Sequence, residues 1–138
     1  MIAALDSSVL ARVLLGEPQP LREWSQIREA YASRLLPLEM GRLIDRLRLA
    51  GKIDDQQVAD LQEELGRVMT SISIVGLTES ILIRATGPMP TTLGSLDAIH
   101  LASALAVQQS LGSPITFATH DAQLARAARA SGLAVRGV

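Results

Sequence analysis

The chain has no cysteine and only two histidines among its 138 residues, which excludes disulfides, thiolate metal sites and a zinc cluster of the usual kind. Any metal must therefore sit on oxygen ligands. Aromatic residues are almost as scarce, with one Trp, one Tyr and one Phe. Trp24 and Tyr31 alone make no extended base-stacking platform. Charge of one sign is also lacking. Thirteen basic residues against fourteen acidic ones leave a formal net charge of −1. A nucleic-acid partner would have to be held by local basic residues and metal rather than by an overall field. No apolar run reaches the ~18 residues needed to cross a bilayer, and Met1-Ile-Ala-Ala-Leu-Asp6 carries no basic leader. A soluble, cytoplasmic protein without a membrane partner is expected.

What is present is aliphatic. Hydrophobic residues make up 48% of the chain, enough for a Leu, Ala, Ile and Val core and too many for disorder. The length fits one domain spanning residues 1–138, with roughly two thirds of the unfolded surface buried. Short apolar runs alternate with helical patterns. Strands are expected at Ile2 to Leu5, Ala30 to Ser33, Ile72 to Val75, Ile115 to Ala118 and Leu133 to Val135. Helices are expected from Ser8 to Leu15, Leu36 to Ala50, Asp54 to Met69, Thr78 to Ala85, Ser95 onward and Ala122 to Ala130, with a weaker one over Leu21 to Arg28. Asp54 and Thr78 are expected caps, and Ser95 can cap the helix that carries Asp97 in its first turn. No hairpin signal separates the strands, so an open parallel α/β sheet follows.

In such a sheet, ligands bind beyond the carboxyl ends of the strands. Asp6 and Asp121 each follow an apolar strand and precede a helix. Asp97 and Glu39 are expected in first helical turns on what could be the same edge. Carboxylates brought together repel, and four without nearby bases are expected to hold a divalent cation. With oxygen ligands only, that cation is Mg²⁺ or Mn²⁺.

The chain resembles the PIN-domain ribonucleases, and among them the VapC toxins of bacterial toxin-antitoxin pairs. The likeness rests on Leu5-Asp6-Ser7-Ser8, on Ser33 with Glu39 and Arg42, on Leu96-Asp97-Ala-Ile-His100-Leu-Ala-Ser-Ala, and on Phe117-Ala-Thr119-His120-Asp121 with Leu124, Ala127-Ala128 and Gly132-Leu133. It runs nearly end to end. The resemblance implies a three-layer α/β/α sandwich around a parallel sheet and an acidic quartet of Asp6, Glu39, Asp97 and Asp121, with Thr119 as a small polar contributor. It implies hydrolysis of RNA phosphodiester bonds with one or two Mg²⁺ or Mn²⁺ ions. Asp6, Asp97 and Asp121 would be the ligands, and Glu39 a ligand or a base for the attacking water. It also implies a VapB-like antitoxin partner and a homodimer. A basic residue often precedes the Leu-Asp-Ala motif in this family, and here Gly94 and Ser95 occupy that stretch.

Candidate RNA contacts are Ser7, Thr119, Arg42, Arg46 and His100. Each has a plainer alternative. Asp6 and Asp121 are good helix caps, and Glu39 alone is an ordinary helical acid. Arg42 and Arg46 could form a solvated face pairing with Asp45, and His100 and His120 could be structural neighbours of the acids. The apolar pattern of Leu21, Trp24, Ile27, Leu43 and Leu47 is a candidate partner surface. Two other functions fit the same residues. One is a housekeeping PIN nuclease in RNA maturation or decay. The other is a catalytically silent metal- or RNA-binding PIN module.

Overall fold

The computed structural model describes all residues from Met1 to Val138. In chain order the elements are β1 (Ile2–Leu5), α1 (Ser7–Leu15), a single 3₁₀ turn (Trp24–Gln26), β2 (Glu29–Ser33), α2 (Leu35–Leu49), α3 (Asp55–Met69), β3 (Ile72–Val75), α4 (Glu79–Thr86), α5 (Ser95–Leu111), β4 (Thr116–Ala118), α6 (Ala122–Ala130) and β5 (Ala134–Arg136). The five strands form one parallel sheet in the order β3-β2-β1-β4-β5. Because each parallel step needs a crossover, helices cover both faces and the sheet edge is left to the loops.

Side chains alternate across β1. Ala3 and Leu5 pack with Val9, Leu10, Leu36, Met40 and Ile44 of α1 and α2 and with Leu65 of α3. Ala4 faces the other way, onto Leu101 and Ala104 of α5, Phe117 of β4 and Leu124 and Ala128 of α6. These two apolar layers give the expected three-layer sandwich. At about 1.5–3 kcal/mol per fully buried large side chain, they also fix the register, since a slip by one residue would turn Leu5 and Ala4 to the wrong layers.

Three local expectations are corrected. The stretch Leu21 to Arg28 makes only one 3₁₀ turn rather than an α-helix. Its apolar residues Leu21, Trp24 and Ile27 are spaced by three, a period that suits 3₁₀ geometry. Leu21 is buried, and Trp24, Ile27 and Leu43 pack against the α1–α3 core layer. Most of that pattern is therefore core rather than a free partner surface. Finally, the cap of α5 is Gly94 in extended conformation, with no side-chain capping bond, and Ser95 is already helical. Asp54 and Thr78 do cap α3 and α4, Asp54 in a reciprocal box with Gln57. No helix is long and apolar enough to cross a membrane.

Candidate active site

The strand order places the topological switch between β1 and β4, since the chain leaves β1 for β2 on one side and returns much later on the other. Leu5 pairs with Ala32 on one flank and Ala118 on the other. The residue after β1, Asp6, therefore stands beside the turn Thr119-His120-Asp121. That is where an open parallel sheet leaves a crevice.

Asp6 is 5% exposed and caps α1, with Oδ2 accepting from the Ser8 amide at 3.3 Å, the Ser8 hydroxyl and the Thr119 hydroxyl at 3.0 Å. Its other oxygen, Oδ1, makes no hydrogen bond and lies 3.9 Å from His100 Nε2. Capping and an outward-facing oxygen thus coexist in one carboxylate. Thr119 is fully buried, and its hydroxyl also accepts from the Asp121 amide at 3.0 Å. It joins Asp6 to the Asp121 turn and is closed off from solvent, so the expectation that it touches substrate is corrected: it positions two acids. The Ser8 hydroxyl accepts from the His120 amide at 2.9 Å, a second tie between the same segments. Asp121 is exposed and caps α6 through Leu124 N at 2.7 Å.

The turn is further held from the carboxyl-terminal side. His120 Nδ1 donates to the Gly137 carbonyl at 2.6 Å, which ties the turn to the segment after β5. Gly137 has φ +103°, and a Cβ there would meet the Thr119 carbonyl oxygen at 2.4 Å, so only glycine fits this approach.

Glu39 lies in the second turn of α2, not the first, because that helix begins at Leu35. His100 Nε2 donates to Glu39 Oε2 at 2.7 Å. The imidazole is 2% exposed, so of its two readings from the sequence the phosphate contact is closed off and a buried neighbour of the acids is left. The acids are not without a base, as their pattern alone suggested. Burial works to raise the Glu39 carboxyl, but the hydrogen bond and charge of His100, with help from Ser7 and Arg46, hold it below the usual range. Burial likewise opposes protonation of His100, and the bond to Glu39 with the charges of Asp6, Glu39 and Asp97 outweighs it and raises the imidazole.

Asp97, in the first turn of α5, is raised by burial first and then by the charges of Asp121, Asp6 and Glu39, with His100 in partial opposition. Asp97 therefore feels the charge of all three other acids. No three of the site's acids and histidines yet form a ready ligand cluster. The donor set still fits a hard divalent cation, being carboxylate oxygen throughout and bearing repulsion that such a charge relieves. Binding would require exposed Asp121 and half-buried Asp97 to turn toward Asp6.

The shift at Asp97 has a consequence for stability. A carboxyl raised in the folded state contributes fully below its unfolded value, and that contribution is lost as pH rises through the folded value. At neutral pH, ionised Asp97 therefore costs stability. In chelator at pH 7, Asp97→Asn is expected to melt a few degrees above the wild-type chain, with the advantage vanishing near pH 3. The favourable dipole of α5 offsets only part of it. Scanning fluorimetry at the two pH values checks this, and a variant less stable at both would refute it.

Beside Glu39 runs a groove of about 320 Å³ lined by Ser7, Ala11, Leu38, Leu43, Arg46 and Leu96 among others. Leu38 and Leu96 are 60% and 50% exposed. Of the two candidate cations, Arg42 pairs with Asp45 at 2.9 Å, and Arg48 takes the other Asp45 oxygen at 2.8 Å. Arg46 has no acidic partner within salt-bridge distance and faces Glu39 from the groove.

A family model described as the PIN domain matches residues 3–130. Ribonuclease VapC47 of Mycobacterium tuberculosis is 31% identical over 135 residues, which span 93% of this chain and 90% of that protein. Among solved structures, FitAcB from Neisseria gonorrhoeae superposes with a TM-score of 0.69 at 19% identity, covering 97% of this chain and 96% of that one. VapBC2 from Rickettsia felis, bound to a DNA fragment from its promoter, gives 0.66 at 12% identity and covers 98% and 97%. At these identities the structural likeness is one of fold.

Proposed function

The chain belongs to the PIN-domain family, and on that premise we propose that residues 1–138 form one PIN domain acting as a VapC-like endoribonuclease toxin dependent on Mg²⁺ or Mn²⁺. The observation that carries this reading is the convergence at the β1–β4 switch of Asp6, Glu39 and Asp121 on Asp97, which feels the charge of all three, with one buried histidine as the base among them.

Asp6 Oδ1, Asp97 and Asp121 are the proposed ligands, set by the Thr119 and Ser8 ties. A bound divalent cation supplies a more acidic water and neutralises charge at the leaving oxygen. Glu39, kept ionised by His100, is a poor proton acceptor and suits the role of an anionic ligand or anchor better than that of general base. Arg46, free of an acidic partner, is placed to meet an RNA phosphate, with Ser7 beside it in the groove.

The same groove suits a VapB-like antitoxin tail, whose apolar side chains would cover Leu38 and Leu96 while a basic residue enters among the acids. VapBC2 is the comparison for such a pairing. A homodimer has other exposed apolar surface available, with Leu82 and Ile83 on α4.

Brief expression of the chain in a bacterial host, followed by sequencing of RNA ends, tests the reading. Growth arrest with new, discrete RNA termini is expected, both suppressed when a cognate antitoxin is co-expressed. Arrest without new termini would contradict nuclease action, and new termini without arrest would favour a housekeeping nuclease.

A further inference from the structure

His100 is the one buried base in the site, and its placement is costly for the fold. It sits on α5 between buried Ala98 and Leu101. Its Nδ1 has no hydrogen-bond partner, and neither has the Ser103 hydroxyl one turn further on. Both residues line a gap between α5 and strands β1 and β2 that is too narrow for a water molecule. An unpartnered buried polar atom costs roughly 1–3 kcal/mol. A leucine at this position would serve the packing at least as well. The reason for histidine must lie at its other nitrogen.

That nitrogen donates to Glu39 Oε2 at 2.7 Å and lies 3.9 Å from Asp6 Oδ1. The two partners are 61 residues apart in sequence and come from opposite layers of the sandwich, α5 and α2. Glu39, whose side chain is 25% exposed, has water available and does not need this bond for its own solvation. Without it Glu39 would keep only Ser7 and Arg46, both in the groove, and its carboxylate would be free to turn toward them. We infer that His100 is a positioning residue, which pins Glu39 across the sheet edge beside Asp6 so that this pair of the site's four acids is in place before a cation arrives. The role acts through Glu39, since the ring is closed to solvent and touches no substrate. Pinning removes the rotamer freedom Glu39 would otherwise lose on engaging the site. It rests on the ribonuclease reading for its consequence in RNA cleavage, but its effect on cation binding can be read without RNA.

Covalent geometry supplies the controls. A glutamine carries its amide nitrogen where the imidazole has Nε2, and an asparagine carries it where the ring has Nδ1. His100→Leu should weaken Mn²⁺ binding, measured calorimetrically without RNA, by about 10- to 100-fold and lower kcat/KM for RNA similarly. Its melting temperature should stay within a few degrees of wild type, since the lost bond to Glu39 opposes relief of the unpartnered Nδ1. His100→Gln should restore most of both properties, whereas His100→Asn should not. In a Glu39→Ala background, His100→Leu should add nothing further.

Unchanged Mn²⁺ affinity in His100→Leu would overturn the proposal. So would equal rescue by asparagine and glutamine, additivity with Glu39→Ala, or a melting temperature well below wild type in His100→Leu that glutamine does not repair. A wild-type chain that binds Mn²⁺ yet cleaves no RNA would sink the ribonuclease reading alone, and the Mn²⁺ titrations would still decide the role of His100.

Discussion

Asp6→Asn is expected to reduce RNA cleavage by at least about 10²- to 10³-fold, the loss typical of removing one charge-stabilising group from an active site. The folded chain leaves little choice about how the new amide sits. Oδ2 accepts from Ser8 N, Ser8 Oγ and Thr119 Oγ1, so the asparagine must keep its carbonyl oxygen there. Its NH₂ then replaces Oδ1, a donor where the site needs an acceptor and where His100 Nε2 already points inward. Three charge-assisted hydrogen bonds become neutral ones, at a cost on the order of 1 kcal/mol, and the variant stays folded. Circular dichroism and melting confirm the fold while RNA cleavage is measured. Full activity in this variant would remove Asp6 from the mechanism.

Thr119→Val should produce the largest loss of stability among the site variants, roughly 1–3 kcal/mol, or about 3–10 °C in Tm for a chain of this length. Valine matches threonine in shape but not in chemistry. It strands the Asp121 amide, which donates to the hydroxyl, and takes one of three donors from Asp6. The bond to Asp6 is buried, so water cannot replace it. Cleavage should fall as well, because Asp6 and Asp121 lose their common tie. Thr119→Ser should recover most of both. A valine variant that melts with the wild-type chain would show that the hydroxyl carries no such load.

Much of this architecture is legible in the sequence because it is local. Ile2 to Leu5 followed by Asp6, and Thr116 to Ala118 followed by Asp121, are strand, cap and helix in immediate succession, so the acids could be assigned to the strands' carboxyl ends. Parallel order follows from the alternation of elements, and the switch at β1 then brings Asp6 and Asp121 together. What was not legible depends on distance or depth. Nothing in the spacing of Glu39 and His100 announces a bond across 61 residues, so the sequence leaves His100 open between a substrate contact and a structural neighbour until its burial is seen. Thr119 misleads in the same way. The choice between Arg42 and Arg46 turns on which of Arg42, Arg46 and Arg48 captures Asp45, a matter of helix rotamers. Leu21, Trp24 and Ile27 share a spacing that an α-helix and a 3₁₀ turn both tolerate, so the spacing alone does not choose between them.

The central claim is that four acids at the β1–β4 switch hold a divalent cation that makes the chain a ribonuclease. Its most direct test is cleavage of a defined RNA by the purified, antitoxin-free chain with Mg²⁺ or Mn²⁺, in parallel with excess chelator and with Asp6→Asn. The expected result is cleavage with added metal that stops in chelator, returns when metal is restored, and is lost in the variant. Equal cleavage in chelator, or by the variant, would contradict it.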